Sequence, residues 1–222
     1  MATTWGDVKE EVRDSFRDST TAFIDDDELA RYCKRTLRLI ASNYIYGFQE
    51  TTGTLTLTGA SSYNLATSFP DFQELWGLSY LLNGATAPGC ELTYYNARDF
   101  LYAADILGYT VQGTSTLKLY VPAGGTGITG SLTVIYYSST MLTSASGTAK
   151  EIPTLDTDVF RIPERFLSVL VEGILMFCFR KDKSLREDFT DSKEAFEKAL
   201  LKMQLEEPRR VKSVQRYARS QF

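Results

Sequence analysis

The sequence has no histidine, only three cysteines and no apolar run of membrane-spanning length, and each absence narrows what the chain can do. Without histidine, the side chain whose charge changes nearest neutral pH is missing, and with it most catalytic triads and most zinc sites. Cys33, Cys90 and Cys178 are scattered and odd in number, with no C-x-x-C pair. They read as reduced, buried thiols of a protein assembled inside a cell. The most apolar stretch, Leu167–Phe179, contains Glu172 and falls well short of the roughly 20 residues a membrane span needs, so it reads as a buried core helix. Met1–Asp7 has neither a basic nor an apolar region of signal-peptide type, and there is no internal repeat. A net charge of −4 by itself marks neither a nucleic-acid binder nor a membrane-surface protein.

What is present is an order: helical patterns at both ends, within residues 4–47 and 160–206, enclosing a Thr-, Gly- and Tyr-rich middle. Thr4 with Asp7 three residues on is a helix start, followed by the stripe Trp5, Val8, Val12 and Phe16. Asp25, Asp26 and Asp27 cap a second helix whose stripe is Leu29, Cys33, Leu37, Ile40 and Tyr44, stopped at Gly47. Pro163 suits the first turn of a third, nearly all-apolar helix. A fourth runs from about Leu185 to Gln204 with Phe189, Phe196, Leu200 and Met203 on one face, and Pro208 stops it.

From Phe48 the period changes from 3.6 to 2. Thr52–Gly59 alternates Thr with Leu, as a half-buried strand does, and Ser62–Leu65 and Leu75–Leu82 are further strands. Pro70-Asp71 and Asn83-Gly84 are turn chemistry, and Asn96–Ile106 reads as a short helix. Ser115–Val121 and Ser131–Ser138, joined by Pro122–Gly130, have the length and composition of a hairpin, and Met141–Ile152 reads as a polar linker back to the helices. The expected fold is α+β. A helical bundle base (residues 1–47 and 153–207) carries an inserted antiparallel β-sandwich-like domain (residues 48–152), and residues 208–222 form a flexible C-terminal arm.

Several segments invite a chemical reading. Gly125–Gly130 spells G-x-G-x-x-G, but a dinucleotide site needs that motif to open a helix, and here a strand-like stretch follows. Asp25–Glu28 lacks the alternation and glycine turn of a calcium loop, which favours a capped helix start. Trp76, Tyr80, Tyr94, Tyr95, Tyr136 and Tyr137 could stack on sugars, or pack in a core or an interface. No nucleophile or acid/base pair stands in a recognisable context, so no enzyme activity, cofactor or metal is expected.

The segment that stands out is the arm. From Pro208 onward it carries Arg209, Arg210, Lys212, Arg216 and Arg219 with no acid, leaving the rest of the chain at −9, and interleaves Val211, Val214, Tyr217 and Phe222. Three uses are open: a solvated end, an arm that orders in an acidic, partly apolar groove of another subunit, or a phosphate-neutralising tail. The interleaved apolar residues favour a protein partner.

The ordered set of Thr4–Val12, Phe23–Leu29, Ser62–Leu65 with Phe69–Phe72, Leu132–Tyr137, Ile152-Pro153 and Ile162–Phe166 resembles the head–tail adaptor (connector) proteins of tailed bacteriophages. The nearest type is the short-tailed, tail-tubular-like adaptor with a β-rich insertion. The resemblance covers essentially the whole chain. It implies a structural virion protein at the head–tail junction, assembled in the host cytoplasm and docked as a twelve-fold ring of neighbouring copies on the portal protein. The base would contact the portal and the β insertion the tail nozzle or fibre proteins, while genomic DNA passes without sequence-specific binding and no membrane is involved. It places the portal-binding arm at Arg209, Arg210, Val211, Lys212, Val214, Arg216, Tyr217, Arg219 and Phe222. The alternative is a carbohydrate-binding β-sandwich module on a virion or cell-surface scaffold, read from the aromatics.

Overall fold

Thr4 and Asp7 start the first helix by bonding each other's backbones. The Asp7 carboxylate accepts from the Thr4 N–H (2.9 Å) and hydroxyl (2.7 Å), and the Thr4 hydroxyl accepts from the Asp7 N–H (3.3 Å). These bonds hold the Asp7 carboxyl below its usual pKa. The computed structural model describes residues 3–16, 23–42, 44–82, 90–94, 108–120, 129–181 and 185–207. Helix α1 spans Trp5–Phe16 and buries Trp5, Val8 and Val12, with Phe16 packed at the edge of the same core. Helix α2 spans Asp26–Ala41, and the Asp25 side chain caps it by accepting from the Glu28 N–H at 2.6 Å.

The α2 stripe is as expected through Ile40, but the helix stops at Ala41, short of Gly47. Ser42 closes it, turning its N–H (3.4 Å) and hydroxyl (2.9 Å) onto the Leu39 carbonyl. Ser side chains compete for backbone in this way, which is why they end helices. Tyr44 still packs on the core, but from an irregular segment in which its ring tilts against Tyr46, which in turn stacks on Phe48.

Beyond a short 3₁₀ turn at Gly47–Gln49 come β1 (Glu50–Thr58), β2 (Ser62–Asn64), a single helical turn α3 (Leu65–Ser68) and β3 (Phe72–Leu82). Then follow β4 (Cys90–Glu91), β5 (Thr93–Tyr94), β6 (Gly108–Gln112), β7 (Thr116–Tyr120) and β8 (Thr129–Ser138). They form two four-stranded sheets, ordered β1-β8-β3-β4 and β2-β7-β6-β5, antiparallel throughout except for the parallel pair β5–β6. Leu55, Leu57, Leu78, Leu132, Val134 and Tyr136 from one sheet meet Tyr109, Leu117 and Leu119 from the other, giving a sandwich with its own core. Gly53 is required there: a Cβ at this point of β1 would overlap the Phe69 ring.

The expected hairpin is not formed. Strand β7 pairs with β6 and β2, whereas β8 lies between β1 and β3 in the opposite sheet. The real hairpin is β6–β7, turned at Gly113 in the left-handed region (φ +62°). A connection as long as Pro122–Gly130 fixes no pairing, and the two strands bury the same leucines whether paired side by side or facing across a sandwich. The proposed helix at Asn96–Ile106 and the Asn83-Gly84 turn lie outside the described residues.

The stretch Met141–Ile152 is not a linker. Met141 and Leu142 are buried in the helical core, and β9 (Leu142–Thr143), β10 (Ala149–Lys150) and β11 (Val159–Phe160) form a small sheet ordered β10-β9-β11. Its polar residues are the turn: the Ser144 hydroxyl accepts from the Thr148 N–H at 3.0 Å. This sheet is tied to the start of α1 by the Trp5 N–H to the Asp158 carbonyl (2.7 Å).

Pro163 leads through a 3₁₀ turn, Glu164–Phe166, into α4 (Leu167–Lys181), and α5 (Arg186–Glu206) returns along it. Helix α4 is the centre of the base, packed by α1, α2 and α5 and buried on most sides. Gly173 permits this convergence, because a Cβ there would overlap Thr36 of α2 and press the Phe196 ring of α5 to 3.0 Å. On α5, Phe196 and Met203 are fully buried, while Phe189 and Leu200 are only half-buried. The whole is α+β, as expected.

Candidate interaction surfaces

The residues of the arm, Arg209 to Phe222, lie outside those the structure describes, but its root does not. At the end of α5 the Tyr44 hydroxyl donates to the Gln204 carbonyl (3.3 Å), and Arg165 pairs with Glu207. These contacts fix the point of departure on the base beside the segment that enters the sandwich. Just before it, Leu201 (57% exposed) and Leu205 (75%) stand one turn apart on the outward face of α5. This pair was not legible in the sequence, because Leu201 and Leu205 flank the apolar positions of the inward face and their spacing alone does not say that they are exposed.

The acids at the start of α2 are engaged with the base. Asp26 accepts from Lys9 (3.1 Å) and Arg13 (2.6 Å), and Lys9 also reaches Asp156 (2.7 Å). The Arg13 hydrogen bond, with Lys9 behind it, holds the Asp26 carboxyl below its usual range against the opposing effect of burial. Glu28 accepts from the Tyr32 hydroxyl (2.7 Å) and pairs with Lys181 of α4. Among the described residues no group of three or more His, Cys, Asp or Glu side chains is placed to hold a metal. Asp25 caps, Asp26 and Glu28 pair, and the cluster is a helix start.

A buried polar site joins the two cores. Asp71, at the foot of β3, accepts from the Tyr136 hydroxyl (2.9 Å) and the Ser138 hydroxyl (2.6 Å), with Arg161 at 3.8 Å. Gln49 donates to the Ser138 carbonyl (2.9 Å) and accepts from the Tyr46 N–H (2.8 Å). Burial first, then the adjacent Asp71 carboxylate, pushes the Tyr136 phenol well above its usual pKa. The network stitches both strands of chain that cross from base to sandwich.

Among the described residues the aromatics do not share a single sugar-stacking face. Tyr136 and Tyr137 are neighbours on β8, so they point to opposite faces, and both are buried. Trp76 lies half-buried and edge-on to Tyr137 at 6.0 Å, and Tyr94, 53% exposed, leans on Tyr109. The Tyr80 side chain and Tyr95 are outside the described residues. Residues 125–128 of the glycine motif are too, but Thr129 and Gly130 open β8, so no helix N-terminus follows to cradle a phosphate. Cys33 and Cys178 are free and fully buried, and burial raises both thiols, that of Cys178 to about 12, which leaves them unreactive at neutral pH.

A further exposed element among the described residues is the edge of the sandwich. Strand β1 is nine residues long and borders its sheet, whereas β2, β4 and β5, at the other sheet edges, have two or three. Thr52, Thr54, Thr56 and Thr58 are exposed along it. The Thr/Leu alternation revealed a half-buried strand but carried no sign that it lies at an edge.

Two cores, one in the helical base and one in the sandwich, are the setting in which the comparison with known families is informative. The model of the SU10 adaptor protein family matches residues 3–219. The chain belongs to the SU10 adaptor protein family. No curated protein matches it. The match spans both the helices and the sandwich, so the adaptor is this whole architecture and not one half of it. Its role is that of a phage adaptor, a structural protein of the virion. Among the described residues no helix of the adaptor is long and apolar enough to cross a membrane.

Proposed function

We propose that this adaptor docks as a ring on the portal protein at the head–tail junction and offers its sandwich to tail nozzle or fibre proteins. The ring is twelve-fold in this reading, continues the DNA channel, and is built in the host cytoplasm. The observation that carries the reading is the family match across both units, combined with a helical base from which a basic-apolar segment departs. Arg209, Arg210, Val211, Lys212, Val214, Arg216, Tyr217, Arg219 and Phe222 form the portal-binding arm. Such a segment contributes little to the isolated fold but buries apolar area and pairs its cations on docking. The arm leaves beside the exposed Leu201 and Leu205, which extend the docking face onto α5. The excess of acid over base in the rest of the chain suits a collar that DNA passes without being gripped, because like charge lowers affinity for the phosphate backbone.

Mass photometry of the adaptor mixed with portal rings, with and without residues 209–222, tests this. The full chain adds a discrete mass of several copies to the portal ring, and the truncated chain, with unchanged circular dichroism, adds none. Equal binding by the two would remove the arm from the mechanism.

A further inference from the structure

The N–H of Thr58 donates to the Tyr63 hydroxyl at 2.9 Å and so points away from β8. In an antiparallel ladder the backbone groups of alternate residues turn to the same side. Thr52, Thr54 and Thr56 therefore direct their N–H and C=O groups outward, and none of these groups has a backbone or side-chain partner among the described residues. Exposed edges of this length are ordinarily blunted with charge, proline or a bulge. Strand β1 has no proline, no charge after Glu50 and an uninterrupted register from Glu50↔Tyr137 to Thr58↔Thr129. It is an unbulged, uncharged, hydroxyl-lined template for another strand.

We propose that this edge is a contact between copies of the adaptor, in which the outer side of β1 pairs antiparallel with the opposite edge of the same sheet in the next copy. Two features select a second copy as the occupant. Successive strands in the order β1-β8-β3-β4 are antiparallel, so β4 runs opposite to β1, and repeating the sheet head to tail keeps every junction antiparallel. A head-to-tail contact of this kind is heterologous, the type that forms a ring when the rotation from copy to copy closes. Moreover, copies of a net-negative chain repel through their charged bases, whereas the stretch from residue 51 to 58 carries no charge to oppose their approach. The inference rests on the ring reading above and supplies the surface through which neighbours in the ring would touch.

The test is the weight-average mass by sedimentation equilibrium, from micromolar to near-millimolar concentration, for the full chain and two edge variants. Thr54→Pro removes one outward N–H without touching the β8 ladder, and Thr54→Lys with Thr56→Lys charges the edge. Native circular dichroism and melting confirm that each variant folds. The full chain gains mass beyond a dimer as concentration rises, and each variant shifts that association to concentrations about tenfold higher, the scale of losing one or two hydrogen bonds. Deleting residues 209–222 leaves the association in place. A full chain that stays monomeric, folded variants that associate as it does, a ceiling at the dimer, or an association lost with the arm would each overturn the proposal. The portal reading fails separately, through the mixing experiment, so an adaptor that docks on the portal yet never self-associates would sink the edge contact alone.

Discussion

The base and the sandwich bury similar kinds of side chain but treat their surfaces in opposite ways. From residue 51 to 138 the charged residues are Asp71, Glu74, Glu91, Arg98, Asp99, Asp105 and Lys118, whereas the helices are dense in charge and lace α1, α2 and α4 together through Lys9, Arg13, Asp26, Glu28 and Lys181. Each exposed pair adds little, well under 1 kcal/mol. Their collective effect is to fix which helix meets which. Along β1 the sandwich presents exposed threonines and outward-turned backbone groups instead, the edge proposed above to meet another copy. The difference teaches that the ion pairs of the base serve its own fold, whereas the uncharged stretch of β1 has no such internal use.

That contrast breaks most severely at Asp158. It is fully buried, accepts from Lys150 (2.7 and 2.9 Å) and from the Thr154 (2.8 Å) and Leu155 (3.0 Å) amides, and anchors the turn against which α1 starts. Burial alone would raise its pKa, but Lys150 and the two amides outweigh it and hold the carboxyl below the usual aspartate range. Asp158→Ala strands a partly buried ammonium and two amides, and the expected loss is about 3–5 kcal/mol, read by urea titration at neutral pH. Because the folded-state pKa is depressed, the wild-type contribution is present above the ordinary aspartate range and disappears as pH falls through the lowered value. The stability of Asp158→Ala should therefore fall less on acidification than that of the wild type. An identical acid profile for both would show that the pair does not hold the base together.

The matching perturbation in the sandwich is Gly53→Ala, whose Cβ meets the Phe69 ring on the inner side of β1. A ring can swing where a buried charge cannot find a partner, so the expected cost is smaller, about 1–3 kcal/mol. Its melting curve checks this. No change would mean that Phe69 does not press on the strand.

The helices were legible because a helix writes its burial and its ends into local spacing: Trp5, Val8 and Val12, then Leu29, Cys33, Leu37 and Ile40, each behind a side chain that caps. Strand neighbours were not legible. Leu117 and Leu119 on β7 and Leu132 and Val134 on β8 enter one core from opposite sheets, and alternation records that they are buried without recording beside whom. The polar run after Met141 misled for a related reason, since a two-residue strand shows no period and its turn supplies most of the polarity. Of the interaction surfaces, the basic-apolar character of residues 208–222 was visible in composition. The β1 edge was not, because edge position belongs to the assembled sheet.

Hydrogen–deuterium exchange of the adaptor, free and then mixed with portal rings, tests this division of labour most directly. The prediction is new protection at residues 209–222 and the β1 stretch Glu50–Thr58, with amides in α1, α2 and α4 unchanged because they are already satisfied within the base. Protection that appears in neither segment, or that appears only within the charged helices, would contradict it.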